Sequence, residues 1–143
     1  MENLRKIKLS SKTVYYIKDN GYKDCTYDVY IKNNFKDRFF SGKKYQQIGQ
    51  FVISRYPNCC GISVLNNVIV NWKLQDKGYG NLIVQLALEL CDTSQFQATT
   101  NGQSPKMDHL LKKYGFKVMN KFINHKTGNK ISIHYLNKIN LSV

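Results

Sequence analysis

The sequence predicts an α/β fold (an α+β mixed sheet), in which a mostly antiparallel, twisted sheet contains one parallel pair of strands and is flanked by helices. Two observations carry this prediction. Several short segments are apolar or alternating, as strands are, and two others carry apolar residues at helical spacing. A strand, a helix and a strand also follow one another between residues 68 and 100, which requires a parallel crossover. Without an internal repeat or linker, the chain predicts a single domain covering 1–143.

The first 40 residues predict one strand and two helices. Asn3–Leu9 alternates weakly and is predicted as a strand. Thr13–Asn20 follows two serines that are good N-caps, and it is predicted as a short helix that Gly21 ends. Thr26–Phe40 is rich in aromatic residues and is predicted as a second helix, with the aromatic side chains in the core.

The middle of the chain predicts an antiparallel meander followed by the crossover. Three strands are expected, over Gln50–Arg55, Cys60–Leu65 and Val68–Leu74, because turn signals separate them at hairpin spacing. An amphipathic helix over Leu82–Cys91 and a strand over Gln95–Thr100 come next.

The end of the chain predicts a helix and a hairpin. Ser104 is a good cap for a helix that has Pro105 at its first position and Gly115 at its end. Phe116–Ile123 and Ile131–Ile139 alternate as strands do, and a polar loop containing a glycine joins them.

A glycine-rich turn, Gln75–Gly80, lies between the third strand of the meander and the first amphipathic helix. Such a turn leaves backbone N–H groups unpaired at the positive end of the helix dipole, where a phosphate or pyrophosphate binds well. It is not a P-loop, because no Gly-Lys-Ser/Thr follows at the required distance. It is not the dinucleotide fingerprint either, since Ile83 stands where the third glycine would be.

This turn resembles motif A of the GNAT superfamily of acyl-CoA-dependent N-acetyltransferases, Gln/Arg-x-x-Gly-x-Gly/Ala, with Gln75, Gly78 and Gly80 at the defined positions. A second segment resembles motif B of the same family and lies about thirty residues later. The order of predicted elements is also similar to the GNAT topology, well over residues 50–139 and loosely over residues 1–49. The motif B positions are occupied by Ser104, Met107, Leu110, Leu111, Lys113, Gly115 and Phe116.

The resemblance implies that acetyl-CoA is the donor substrate. It implies that the cofactor lies where Val68–Leu74 and Gln95–Thr100 splay apart, with its pantetheine arm paired to the strand backbone and its pyrophosphate on the helix N–H groups. Ser104 could equally be only the helix cap. The residues that the resemblance places at the cofactor are Trp72, Lys73, Leu74, Gln75, Lys77, Gly78, Tyr79, Gly80, Asn81 and Ser104.

The acid and the base of the reaction are less well defined by the sequence. The family's usual acid is a motif B tyrosine, and Leu111 stands at that position here. Tyr114 is the other tyrosine of this segment, although its place on the helix directs it elsewhere, towards the core. His134 on the last strand is the candidate base, as a histidine titrates near neutrality and this one could face the acceptor side. These two residues are the candidate catalytic groups.

The chain is strongly basic, with 22 lysines and arginines against 9 acidic residues and a net charge of +13. This charge predicts attraction to polyanions, either nucleic acid or the phosphates of coenzyme A. The lysines are scattered, which favours a solvated surface, and an AT-rich coding sequence would also produce such a composition.

No stretch is apolar enough to cross a membrane and no leader is evident, so the sequence predicts a cytoplasmic protein. The four cysteines fit no zinc spacing, and no metal site is predicted.

Three functions remain open from the sequence. The first is a GNAT N-acetyltransferase whose amine acceptor is a small molecule, a protein, or a group on an anionic carrier. The second is a basic nucleic-acid-binding module. The third is a GNAT protein that binds acetyl-CoA without turnover. A homodimer is compatible with each of them.

Overall fold

A computed structural model of the protein describes residues 3–10, 12–55, 61–71, 77–101 and 105–138. The strands are β1 (Arg5–Lys8), β2 (Thr13–Asn20), β3 (Asp24–Lys32), β4 (Tyr45–Arg55), β5 (Ile62–Val70), β6 (Gln95–Asn101), β7 (Lys117–Ile123) and β8 (Lys130–Asn137). The helices are α1 (Phe35–Ser41), α2 (Tyr79–Leu90) and α3 (Pro105–Lys113).

The eight strands form one sheet in the order β1-β2-β3-β4-β5-β6-β8-β7. Within it, β5 and β6 are parallel, and the other neighbouring strands pair antiparallel. Helix α2 makes the crossover between the two parallel strands. The predicted α/β fold with one parallel pair in a mixed sheet is therefore confirmed.

The core of the amino-terminal strands is aromatic and aliphatic. Alternate residues of β3 face it, as the period of two requires, and Val29 is fully buried. The Tyr27 ring stacks on the Phe51 ring of β4 with centroids 4.9 Å apart, and the Tyr16 ring of β2 lies 6.0 Å from Tyr27. These pairs join three neighbouring strands through side chains as well as through backbone hydrogen bonds.

Helix α2 covers the middle of the sheet, and α3 packs beside it. The apolar face of α2 supplies five buried residues, and the helix contacts β4, β5 and α3. Leu111 of α3 is fully buried, and the Phe116 ring, just after α3, lies 6.0 Å from the Phe96 ring of β6. The buried residues of α2 are Leu82, Ile83, Val84, Leu86 and Ala87.

Both helices predicted in the first 40 residues are wrong. Thr13–Asn20 is strand β2, which pairs with β1 and β3. Its Val14 and Tyr16 are buried at a spacing of two, so the β-branched and aromatic alternation prevails over the serine caps that precede it. The segment predicted as one helix over Thr26–Phe40 is strand β3 as far as Lys32, and only its end, from Phe35 onward, belongs to the seven-residue helix α1.

The predicted meander also has one strand fewer than expected. The two strands expected over Cys60–Leu65 and Val68–Leu74 are one strand, β5, within the described residues. Asn67 has a positive φ of 51°, and the β4–β5 register shifts opposite it. The asparagine pair therefore marks an irregularity inside a strand and not a hairpin turn. The remaining strands and helices, from β6 onward, follow the predicted order.

Among the described helices, none has the length and apolar character needed to cross a membrane.

Candidate functional site

The parallel pair β5–β6 opens toward its carboxyl end. The two strands pair from Ile62 with Gln95 as far as Leu65 with Ala98. Both strands continue beyond the last pair, β5 along β4 and β6 along β8. A cavity of about 240 Å³, which we call the splay cavity, lies in this opening. It is lined by Leu65, Asn67, Val68, Ala98, Thr99, Thr100, Met107 and Leu111.

Helix α2 begins next to this opening with a glycine at its N-cap. Gly78 has a φ of 80°, in the left-handed region, and no heavy atom would lie within 4 Å of an added Cβ there. With no side chain at Gly78 to cap the helix, the first N–H groups of α2 are left for another acceptor. An anion at this point would also meet the positive end of the helix dipole.

Gly80, in the first turn of α2, lets α3 and β5 approach closely. An added Cβ would lie 3.3 Å from Leu110 Cδ1 and 3.8 Å from Val70 Cγ2. Between these elements runs a groove of about 620 Å³, which we call the α2 groove. It shares Val68 and Met107 with the splay cavity, so the two cavities are adjacent. The groove is lined by Val68, Val70, Gly78, Tyr79, Gly80, Asn81, Pro105, Lys106, Met107, His109 and Leu110.

The residues predicted to contact the cofactor fall into two sets. The structure brings four of them together in the α2 groove: Gly78, Tyr79, Gly80 and Asn81. Lys77 is exposed and directly precedes them. The other five lie outside the described residues: Trp72, Lys73, Leu74, Gln75 and Ser104.

A further cation reaches the same place from the amino terminus of the chain. Lys12 precedes β2, and its Nζ lies 6.0 Å from the centroid of the Tyr79 ring at the start of α2. Nearly half of the chain separates these two residues in sequence, so no local pattern could have predicted the contact. It adds a positive charge to the end of α2 where the backbone N–H groups point.

Tyr114 links α3 to α2. Its hydroxyl donates a hydrogen bond to Asn81 Oδ1 and accepts one from Gln85 Nε2 at 2.7 Å. The side chain is half-buried. Through these bonds Tyr114 fixes the first turns of α2, which line the groove, against the end of α3.

His134 lies beneath α3, at the centre of a polar cluster that the sequence did not predict. The residue is only 2% exposed. Its Nε2 lies 3.1 Å from both Thr100 Oγ1 of β6 and Asp108 Oδ1 of α3, and the Thr100 hydroxyl donates to the same Asp108 oxygen. His134 Nδ1 is buried without a hydrogen-bond partner among the described residues. Leu136, two residues on and buried, was the available signal that His134 faces the helices.

The cluster lies between two cavities. Thr100 lines the splay cavity. Asp108 and His134 line a second cavity, of about 660 Å³, on the other side of α3. Three lysines, Lys112, Lys117 and Lys121, also line that second cavity.

No protein-family model matches the sequence, and no curated protein matches it. Solved structures do match the fold. One is spermidine N-acetyltransferase from Vibrio cholerae in complex with CoA and spermine, at 15% identity and a TM-score of 0.63, covering 82% of this chain and 68% of that one. The same enzyme in a dodecameric intermediate state matches at 14% identity and a TM-score of 0.63, covering 84% and 68%.

An IAA acetyltransferase from Bacillus cereus matches as well, at 17% identity and a TM-score of 0.59, covering 80% of this chain and 78% of that one. At these identities the likeness concerns the fold. The strand order, the crossover helix and the open parallel pair agree with it. The chain therefore has the fold of the GNAT acetyltransferases.

Proposed function

We propose that the protein is an N-acetyltransferase that transfers an acetyl group from acetyl-CoA to a primary amine by direct attack of the amine on the thioester. The observation that carries this proposal is the pair of adjacent cavities that extends from the α2 N-terminus to the opening between β5 and β6. A neighbour of the same fold was solved with CoA bound, which supports CoA as the ligand of this site.

The two ends of the site suit the two ends of the donor. The N–H groups at the start of α2 suit the diphosphate, and Lys12 and Lys77 place cations nearby. The walls of the groove between the helices and β5 are largely apolar, as a pantetheine arm requires, with Val70, Met107 and Leu110 among them. The thioester would then reach the splay cavity, where holding it beside the amine lowers the barrier by proximity.

The acceptor we propose carries negative charge. The neighbours from Vibrio cholerae act on spermidine, a polycation, which acidic side chains would bind. Among the described residues that line the three cavities, Asp108 is the one carboxylate, and it is bonded to Thr100 and His134. With lysines on the cavity walls and a net charge of +13, an amine on an anionic carrier is the better match.

Calorimetric titration with CoA, and with adenosine diphosphate as a control, tests the donor site. Gly78→Val should weaken CoA binding at least tenfold, because a side chain at this position holds the diphosphate away from the N–H groups. Gly128→Val is the matched control. Gly128 also has a positive φ, 73°, and open space around its Cβ, but it lies in the β7–β8 hairpin. Equal loss in both variants, or no CoA binding by the unaltered protein, would refute the proposed site.

Acceptors can then be screened by the CoA thiol that acetyl-CoA releases. Comparing spermidine with amines on acidic peptides and on nucleic acids tests the charge argument directly. Faster release with spermidine would overturn the anionic acceptor but leave the acetyltransferase standing. CoA binding without release for any amine would favour a protein that binds acetyl-CoA without turnover.

The net charge of +13 favours one other function, nucleic-acid binding. It predicts an affinity for nucleic acid that falls steeply with salt. Such binding in a protein that does not bind CoA would make this the leading function.

A homodimer is a further part of the proposal. Strand β7 lies at the edge of the sheet, and every one of its residues is exposed. An edge with apolar side chains such as Met119 and Phe122 is suited to pairing with another strand. Light scattering at several concentrations would test whether the chain associates with itself.

A further inference from the structure

The splay cavity has an apolar residue where a proton donor is expected. Leu111 lines this cavity and is fully buried. In the acetyl transfer proposed above, the carbon–sulfur bond breaks here and leaves a thiolate. A thiolate that forms in this cavity is stabilised by a hydrogen-bond donor at the sulfur. Leu111 has none.

Thr100 lines the same cavity and does carry a hydroxyl. The residue is 7% exposed, and its hydroxyl is held by two groups on different elements: Asp108 Oδ1 on α3, and His134 Nε2 on β8 at 3.1 Å. His134 is itself buried beneath α3 and 3.1 Å from Asp108. A buried hydroxyl in contact with an imidazole and a carboxylate has a route by which a proton it gives up can be replaced.

We propose that the Thr100 hydroxyl donates the hydrogen bond, and then the proton, to the sulfur of the departing CoA, with His134 and Asp108 as positioning residues that act through it. The inference rests on the proposed function, since it assigns the leaving-group donor of that reaction. Thr100 takes this role in place of Tyr114, whose hydroxyl is bonded to α2 side chains. His134, the candidate base of the sequence analysis, reaches the splay cavity through Thr100.

The step balances as follows. The amine nitrogen forms a bond to the carbonyl carbon, and the carbon–sulfur bond breaks with its electron pair on sulfur. The Thr100 hydroxyl turns from Asp108 to the sulfur and transfers its proton there, while His134 passes its Nε2 proton to the threonine oxygen. The proton that the nitrogen loses in becoming an amide returns to the ring through water. The products are the amide and the CoA thiol.

Binding of CoA tests this without any acceptor. If Thr100 stabilises the thiolate, CoA binds more tightly as pH rises and its thiol ionises, whereas S-methyl-CoA, which has no ionisable thiol, does not. We expect the ratio of the two affinities to rise by about tenfold across the thiol titration in the unaltered protein. Thr100→Val, which keeps the shape and removes the hydroxyl, should abolish the rise, and Thr100→Ser should retain it.

Thr99→Val is the matched control. Thr99 precedes Thr100 on the same strand and also lines the splay cavity, but its side chain is exposed and points to the opposite face of the sheet. A pH-dependent ratio that persists in Thr100→Val, or that disappears in Thr99→Val instead, would overturn the assignment. In either of these outcomes the unaltered protein still binds CoA. If the proposed function itself were wrong, the unaltered protein would not bind CoA at all.

His134→Gln tests the positioning role. Loss of the ring should lower turnover of acetyl-CoA about tenfold or more, with the affinity for S-methyl-CoA within twofold of the unaltered protein. Combined with Thr100→Val, it should add no further loss, because both changes interrupt one relay. Independent, multiplying losses would show that His134 does not act through Thr100. Thermal unfolding of each variant confirms that the fold is intact.

Discussion

The two halves of the sheet differ in how their strands pack and in the side chains that they bury. Strands β1 to β4 enclose an apolar core in which the Tyr27 and Phe51 rings stack 4.9 Å apart. Strands β5 to β8 bury three polar side chains, Ser63, Thr100 and His134, and the cavities described above lie on this side. The first half is packed for stability, whereas the second half gives up packing around an opening between two strands.

The difference follows from the parallel pair. Antiparallel neighbours can stay paired along their whole length, as β2, β3 and β4 do. The parallel strands β5 and β6 are joined through α2 and separate after Leu65 and Ala98. Backbone groups and polar side chains beyond that point are then available to a ligand. The cavities therefore lie in the half of the sheet whose pairing is incomplete, and the other half supplies the stability that this costs.

Truncating the aromatic core should give the largest effect on stability. Phe51→Ala removes a fully buried ring and should lower the free energy of unfolding by about 3–5 kcal/mol, measured by urea denaturation. Phe122→Ala is the matched control, because this ring on edge strand β7 is 47% exposed and its loss should cost below about 1 kcal/mol. CoA affinity of the folded Phe51→Ala protein should be unchanged. Loss of CoA binding by the folded Phe51→Ala protein would contradict the idea that the first half serves stability alone.

High pH should destabilise the amino-terminal half through Tyr27. Burial raises the pKa of Tyr27 from 10.0 to about 12, with a smaller contribution from Cys25. Because the folded state holds the proton more tightly, stability is fully present below pH 10 and falls as pH rises from 10 to 12, by about 2 kcal/mol. Denaturation across this range should show the fall. In Tyr27→Phe this part of the pH dependence should be absent, and an identical fall in the variant would contradict the prediction.

The same division explains what the sequence could and could not predict. In the later part of the chain, local signals mark where the helices begin and end. These signals are the glycine turn before α2, Pro105 at the start of α3, and Gly115 after its end. In the amino-terminal segments the local signals conflict with one another. Thr13–Asn20 has serine caps that favour a helix and an alternation that favours a strand, and only pairing with β1 and β3 decides between them.

Within the candidate site, too, some parts could be predicted from local sequence and others could not. The glycine turn before α2 could be predicted because Gly78 and Gly80 lie close together in sequence. The Thr100–Asp108–His134 cluster could not, because its members come from β6, α3 and β8 and meet only through tertiary packing. The contact of Lys12 with Tyr79 was missed for the same reason.

A smaller effect is expected from the hydroxyl pair of Ser63 and Thr93 in the carboxyl-terminal half. Ser63 of β5 is fully buried, and its Oγ accepts a hydrogen bond from Thr93 Oγ1 at 2.8 Å. Ser63→Ala should lower the free energy of unfolding by about 1 kcal/mol. Adding Thr93→Val should cost less than the sum of the two single changes, because they remove one shared interaction. Strict additivity in a double-mutant cycle would show that the two hydroxyls do not interact.

The smallest effect should come from the ion pair that joins the two halves at the surface. Arg55, at the end of β4, pairs with Asp92, just after α2, and their side chains are 53% and 60% exposed. Water and salt screen such a pair, so Asp92→Asn should cost below about 1 kcal/mol, and less at high salt. Asp24→Asn, at an exposed carboxylate near the β2–β3 turn, controls for the added positive charge on a chain that already carries +13. If Asp92→Asn lowers the free energy of unfolding more than Asp24→Asn does only at low salt, the ion pair contributes little to stability. The two halves are then held together by the β4–β5 ladder and the apolar face of α2. A loss of several kcal/mol would instead mean that this contact couples the packed half to the site.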